Sequence, residues 1–299
     1  MALRPAPEER SPAELLEFGV VNLDKPAGPS AHQVSAWVRD MVADRVGEDA
    51  VDRAAHAGTL DPKVTGCLPT MLGDATRLAQ VFLEGSKEYV SVLECHDAVP
   101  DDVAAVASEF EGPIYQKPPR KSAVVRNLRV REVYELDVLE AGDRQALLRI
   151  ECESGTYVRK LCHDLGLALG TGAHMGHLRR TATDPFDDRD LVTLHDLEDA
   201  LSFWTEDGDA GPLREVVDPA ERALDHLPAV TVAPSAAEQI AEGAPVYAPG
   251  VIDADEAARE DGALVACYVP NGTAVCLGRT AGDLDADEGT AVALERVLV

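Results

Sequence analysis

The stretch His-Ala-Gly-Thr-Leu-Asp-Pro-Lys-Val-Thr-Gly at 56–66 presents a carboxylate in surroundings that suit chemistry. Pro62 disfavours the helical region for Asp61 and holds it extended, while Gly58 and Gly66 permit sharp turns on either side. A stiff loop carrying one carboxylate follows. Such a group can act as a nucleophile or a base. Asp-Pro between glycines is equally an ordinary turn, and the local sequence leaves both readings open.

The other residues with candidate chemistry stand far away in the chain. Tyr89 lies near the start of a β-type run, Lys-Glu-Tyr-Val-Ser-Val-Leu-Glu-Cys at 87–95, where its ring either reaches the sheet end or packs in the core. Tyr157 and Arg159 fall where a strand gives way to a helix whose apolar stripe is Val158, Leu161, Cys162, Leu165 and Leu169, with Gly170 placed to end it. Arg159 can face a distant carboxylate or form a surface ion pair. His174 and His177 sit three apart, but their glycine-rich surroundings and the missing third ligand argue against a metal site, and no metal is expected. Leu178 and Arg179, in the same segment, are the better candidates.

The elements that must position these groups read as follows. Val20 to Leu23 form a short buried strand that runs into Asp-Lys-Pro-Ala-Gly-Pro-Ser at 24–30. That loop lacks the G-K-[ST] of a nucleotide-binding loop, so Lys25 alone is a weak phosphate signal. Ser30 caps a predicted helix with Val34, Trp37, Val38, Met41 and Val42 turned inward. Residues 100–111 read as a surface helix. Tyr134, Leu136 and Val138 alternate with acids, and Ala146, Leu148, Ile150 and Cys152 alternate on a second run, which together predict an antiparallel hairpin. The first dozen residues read as a loose arm, and 184–225 as acidic and loop-prone. The last 73 residues hold short apolar runs between glycine-rich or acidic turns, the pattern of a small β-rich barrel.

Composition narrows the classes. A chain of 299 residues with 45% apolar content supports one large and one small domain with real cores. No apolar run of eighteen occurs and the start is polar and proline-rich, so a cytoplasmic protein off the membrane is expected. Six scattered cysteines without C-x-x-C spacing read as reduced core thiols. The net charge is −27, and lysine supplies only six basic residues, a surface suited to strong brine and hence to a halophile. Against that background residues 112–131 contain no acid and carry Lys117, Arg120, Lys121, Arg126, Arg129 and Arg131, a patch that suits an anionic partner.

Five motifs now stand in order: Asn22-Leu-Asp-Lys-Pro-Ala-Gly-Pro-Ser; His56 to Gly66; Lys87-Glu-Tyr; Lys117-Pro-Pro-Arg-Lys-Ser-Ala-Val; and Gly155-Thr-Tyr-Val-Arg, followed by Gly172-Ala-His-Met-Gly-His-Leu-Arg-Arg. Together they resemble the TruB/dyskerin family of pseudouridine synthases, from about Leu15 to Val299, and most closely its archaeal branch of H/ACA ribonucleoproteins. The resemblance implies an α/β fold of the α+β kind: a catalytic domain with a mixed, mainly antiparallel sheet over 15–226, a PUA β-barrel over 227–299, and an arm at 1–14.

The same resemblance implies isomerisation of uridine to pseudouridine in RNA, without cofactor. The target would be the T-loop uridine of tRNA, or rRNA selected by an H/ACA guide RNA alongside other H/ACA proteins. Asp61 matches the family nucleophile, whether it attacks the ribose or the base or acts as a base itself. Arg159 matches its partner and Tyr89 the stacking tyrosine. Leu178, Tyr157 and His56 match the pocket, and Lys25, Lys117, Arg120, Lys121, Arg179 and Arg180 would serve phosphates. Val125 replaces the family's usual lysine and Ala55 its usual glycine. The PUA-like tail carries only Arg259, Arg279 and Arg296, so charge does not support RNA docking there. The rival reading is a non-catalytic RNA-binding scaffold, against which Asp61, Tyr89 and Arg159 together argue. A hydrolase lacks a second carboxylate or histidine placed by motif to activate water.

Overall fold

The computed structural model describes residues 3–118 and 125–299. The chain begins with α1 (Pro12–Glu17), β1 (Gly19–Lys25) and α2 (Ala31–Val46), then β2 (Ala54–His56), β3 (Thr65–Leu72) and β4 (Lys87–Cys95). It continues through α3 (Val103–Ser108), β5 (Gly112–Gln116), β6 (Arg129–Ala141), β7 (Gln145–Cys152), α4 (Val158–Ala168), β8 (Ala173–Thr183) and β9 (Phe186–Asp187). Helices α5 (Leu194–Ser202) and α6 (Gly211–Val216) and the short β10 (Asp218–Pro219) complete the first sheet unit. Its strands run β10-β1-β3-β8-β4-β7-β6-β5, with β2 on β3 and β9 on β8. Among the described residues only the β3–β8 pairing of strands is parallel in this sheet, so it is mixed and mainly antiparallel.

Alternate residues of β1 and β3 face opposite ways and both ways are buried, as expected for near-continuous apolar runs. Val21, Leu23, Leu68 and Leu72 pack with Val34, Val38 and Val42 of α2 and Leu161 and Leu165 of α4. Val20, Cys67 and Met71 belong to a second core with Phe82 and Phe186, and with Ala266, Ala274 and Leu277 from the C-terminal unit. That unit contains β11 (Ala229–Val232), α7 (Pro234–Ala241), β12 (Val246–Tyr247), β13 (Val251–Ala254), β14 (Leu264–Tyr268), β15 (Ala274–Thr280) and β16 (Thr290–Val297). Its sheet order is β12-β16-β15-β14-β11-β13, around its own core of Val230, Ile240, Val265, Val275 and Val292. Among the described residues no helix is long and apolar enough to cross a membrane.

Several sequence expectations change. The N-terminal arm is not loose. Arg10 is fully buried, with Nη1 and Nη2 donating to the two carboxylate oxygens of Glu221 at 2.7 and 2.6 Å. Arg4 reaches Asp74 at 2.7 Å in a partly buried pair, so charge pairs tie the arm to the first unit, and Glu221 also accepts from Ala274 N–H of the C-terminal unit at 3.1 Å. The 184–225 stretch is partly helical, because Thr193 and Asp196 form a reciprocal cap and Leu197, Ala200, Leu201 and Leu213 bury beneath the acidic surface. Trp37 points outward, leaving α2 a narrower stripe than its apolar spacing suggested. In β6 a bulge between Val133 and Glu135 turns Tyr134 out, and Val133 and Leu136 fill the core instead. The glycine-rich histidine segment is β8, the strand that joins the two halves of the sheet.

Candidate active site

Lateral strand pairing assembles the site. Lys25 of β1 lies opposite Gly66 of β3, Gly66 beside Arg180 of β8, and Arg180 opposite Tyr89 of β4. Leu178 pairs with Ser91 two positions along the same ladder. One row across four strands therefore contains residues separated by as much as 155 positions in sequence. Gly66 is required in this row: its φ is +97°, and a Cβ would stand 2.2 Å from the Arg180 carbonyl oxygen.

The Asp61 loop connects β2 to β3 and is held from below. The Lys25 side chain is fully buried, and its Nζ donates to the carbonyls of Pro26 (3.0 Å), Pro62 (3.2 Å) and Val64 (2.8 Å). Gly28 N–H donates to the Pro62 carbonyl at 2.8 Å, and Val64 N–H to the Asp61 carbonyl at 2.9 Å. The rigidity expected from Pro62 thus has a tertiary cause as well. Above this support the Asp61 carboxylate forms an ion pair with Arg159 Nη2, both side chains about half exposed at 52% and 50%.

Arg159 stands in the first turn of α4, just after the N-cap residue Tyr157. Gln116, at the end of β5, accepts from Tyr157 N–H at 2.8 Å and donates to the Tyr157 carbonyl at 3.2 Å. The amide therefore fixes where the helix begins, and with it the direction of Arg159. Sequence reading overlooked Gln116, whose only signal is its place at the start of the acid-free stretch. Tyr89 and Leu178 are nearly buried, and Tyr157 and His56 half-buried.

Burial pushes the Tyr89 phenol above its ordinary range, with Arg180 acting in the opposite direction by charge and hydrogen bonding. Its resting form at neutral pH is the phenol. Burial also lowers the His56 imidazole, helped by the positive charge of Arg180 and by His32. His56 Nδ1 is buried without a hydrogen-bond partner among the described residues. Desolvation lowers the Lys25 ammonium, and brings Lys87 down to about 8 although its Nζ donates to the carbonyls of Phe82, Gly85 and Ser86.

Two residues expected at phosphates are placed otherwise. Lys25 is enclosed beneath the loop. Arg180 is 1% exposed and donates from Nε to the Cys67 carbonyl at 2.7 Å and from Nη2 to the Gly58 carbonyl at 3.4 Å. Neither faces solvent; each donates to main-chain carbonyls, Lys25 at Pro26, Pro62 and Val64 and Arg180 at Cys67 of β3 and at Gly58. Arg179 pairs with Asp24 at 3.0 Å and is one-third exposed, and Lys117 is exposed. Arg120 and Lys121 lie outside the described residues. All six cysteines are buried free thiols, and among the described residues no cluster of three or more metal-ligating side chains occurs.

The structure thus brings an acid–guanidinium pair to a half-exposed position in the first unit, with a second unit of different fold in the same chain. Comparison with known proteins is decisive. Residues 48–102 match the TruB family pseudouridylate synthase N-terminal domain, and 159–225 the tRNA pseudouridylate synthase B C-terminal domain. Residues 5–35 match the DKCLD domain and 228–298 the PUA domain. The chain is 65% identical over 308 positions to a probable tRNA pseudouridine synthase B of Halobacterium salinarum, covering 100% of each. Identity to the protein of the same name from Haloarcula marismortui is 61%, over 100% of this chain and 94% of that one. A crystal structure of a Cbf5-Nop10-Gar1 complex superposes with a TM-score of 0.91 at 43% identity, over 99% of this chain and 90% of that chain. An H/ACA RNP bound to a substrate RNA containing 2'-deoxyuridine gives 0.90 at 41%, with 99% and 90% covered.

The chain belongs to the TruB family of pseudouridine synthases. It is an isomerase that acts on uridines in RNA, with a PUA domain at its C-terminal side.

Proposed function

We propose that Asp61 is the nucleophile of uridine isomerisation, and that Arg159 holds its carboxylate in place until the target nucleotide arrives. The observation that carries this reading is the Asp61–Arg159 ion pair, formed by residues almost a hundred positions apart at an exposed sheet end. A flipped uridine would cover the half-exposed carboxylate and exclude water from it, at a cost of a few kcal/mol for leaving its stack. Stacking on Tyr89, against Leu178 and Tyr157, offsets part of that cost. His56 contacts RNA beside the extruded nucleotide. The Tyr89 phenol, protonated at rest, acts as a platform; to take a proton from the substrate it must first give up its own.

Phosphate contacts fall to Lys117, Arg120, Lys121 and Arg179. The first three lie in the basic segment of a strongly acidic chain, so RNA steering is concentrated there. The substrate is the T-loop uridine of tRNA, and also rRNA when a guide RNA and accessory H/ACA proteins are present. The names of the relatives support the first target and the H/ACA complexes the second. The protein works in the cytoplasm, with 15–226 as the catalytic domain and 227–299 as the PUA domain.

Asp61→Asn tests the assignment. Because the side chain is half exposed, the variant is expected to fold and bind RNA as the wild type does, while pseudouridine formation is abolished. Full activity would remove Asp61 from the mechanism. A tRNA transcript assayed with and without guide RNA and accessory proteins separates the two targets.

A further inference from the structure

We propose that Arg180 is a positioning residue for this reaction: from inside the sheet it sets the Tyr89 ring at a fixed distance from both ends of the Asp61 loop. The inference rests on the assignment of Asp61 and Tyr89 to the reacting site. Its basis is geometric. Arg180 is directly opposite Tyr89 on the β8–β4 ladder, so their side chains share one face of the sheet. The guanidinium is 1% exposed and the Tyr89 side chain nearly as enclosed. Its Nε holds the carbonyl of Cys67, just after the Asp61 loop, and its Nη2 the carbonyl of Gly58, just before Asp61.

The planar fork of arginine can bond in several directions at once, which a lysine ammonium at the end of a flexible stem cannot reproduce. Charge and hydrogen bonding from Arg180 act on the Tyr89 phenol, and the same charge reaches His56. One buried cation thus connects the stacking platform, the base of the nucleophile loop and the RNA-contacting histidine. An arginine intended for phosphate would need an exposed head, which this one lacks. Lys25 supports the middle of the loop through Pro62 and Val64, so the two cations divide the task between centre and ends.

The test is a double-mutant cycle on single-turnover pseudouridine formation with Arg180→Lys, Tyr89→Phe and the double variant, with Asp61→Asn as control. Each single change is expected to slow the step by about tenfold to a hundredfold, the range of one hydrogen bond to a charged group. RNA affinity and its salt dependence should stay at wild-type values. The double variant should be little slower than the slower single one, because both changes break the same connection. Effects that multiply, or an Arg180→Lys defect confined to RNA affinity, would overturn the proposal. If Arg180→Lys fails to fold, Tyr89→Phe decides: a full wild-type rate shows that hydroxyl anchoring does not position the ring. An active Asp61→Asn control would instead refute the underlying assignment, a different outcome from independent Arg180 and Tyr89 effects beside an inactive control.

Discussion

Replacing Lys25 with Met separates a scaffold role from phosphate binding. The side chain is fully buried and its ammonium satisfies three main-chain carbonyls, two of them within three residues of Asp61. Methionine fills much of the volume but donates nothing. The bond to Val64 is itself buried, so that carbonyl loses its partner without access to water, which costs about 1–3 kcal/mol. The carbonyls of Pro26 and Pro62 are in part-buried bonds and can recruit water, adding roughly 0.5–1 kcal/mol each. Relief of the buried ammonium returns part of this, since its depressed pKa shows that burial disfavours the charged form. A net loss of about 2 kcal/mol is expected, measured as a lower midpoint of urea unfolding with unchanged slope.

The catalytic effect should be larger than the stability effect. Freed at Pro62 and Val64, the loop no longer holds Asp61 at one point, and a misplacement of about 1 Å can slow a positioned reaction on the order of a hundredfold. Single-turnover rates on saturating RNA would report this. RNA affinity should not move, nor should its dependence on salt, because an enclosed ammonium releases no phosphate counterions. Wild-type stability together with weaker RNA binding and a shallower salt slope would refute the reasoning and return Lys25 to the phosphate contacts.

Other outcomes follow from the same geometry. Gly66→Ala places a methyl 2.2 Å from the Arg180 carbonyl at φ +97°, and should destabilise by about 2–5 kcal/mol in urea titration. Gly112→Ala, at φ +90° with nothing within 4 Å, should cost only the backbone strain of about 1–3 kcal/mol. Arg10→Met leaves the Glu221 carboxylate buried without its cation, with an expected loss of about 3–5 kcal/mol seen by thermal unfolding. Adding Glu221→Gln should recover part of it. For Lys87 the folded pKa is about 8 against 10.5 for the free side chain, so between those values the unfolded chain binds more protons. The contribution of this group to stability is therefore fully present above 10.5 and is lost as pH falls toward about 8. Wild type minus Lys87→Met should rise with pH across that window, by roughly 3 kcal/mol, and parallel curves would contradict it.

Legibility in the sequence followed the range of the interactions. Strands 87–95 and 145–152 were readable because alternation records a sheet with one side facing the core, and α2 because Ser30 and Gln33 cap it locally. Trp37 and Tyr134 misled, since apolar character alone does not tell which face is covered or where a bulge breaks the alternation. Strand β8 was hidden by glycines and histidines, and its place in the sheet comes from neighbours on both sides. The arm read as loose because Arg10 finds Glu221 more than two hundred positions away.

The sequence by itself determined the chemistry available: an aspartate stiffened by Pro62, a tyrosine on a strand, an arginine opening a helix, and an acid-free basic segment in an acidic chain. These depend on residue type and local backbone preference, which short range suffices to set. Only the tertiary structure decided which cations face outward. Lys25 and Arg180 look like Lys117 and Arg179 in sequence, yet the first two are enclosed at main-chain carbonyls and the last two reach the surface. Burial depends on what the rest of the chain packs above a residue, and a charge is buried where distant parts of the chain bring acceptors to it, main-chain carbonyls for Lys25 and Arg180 and a carboxylate for Arg10.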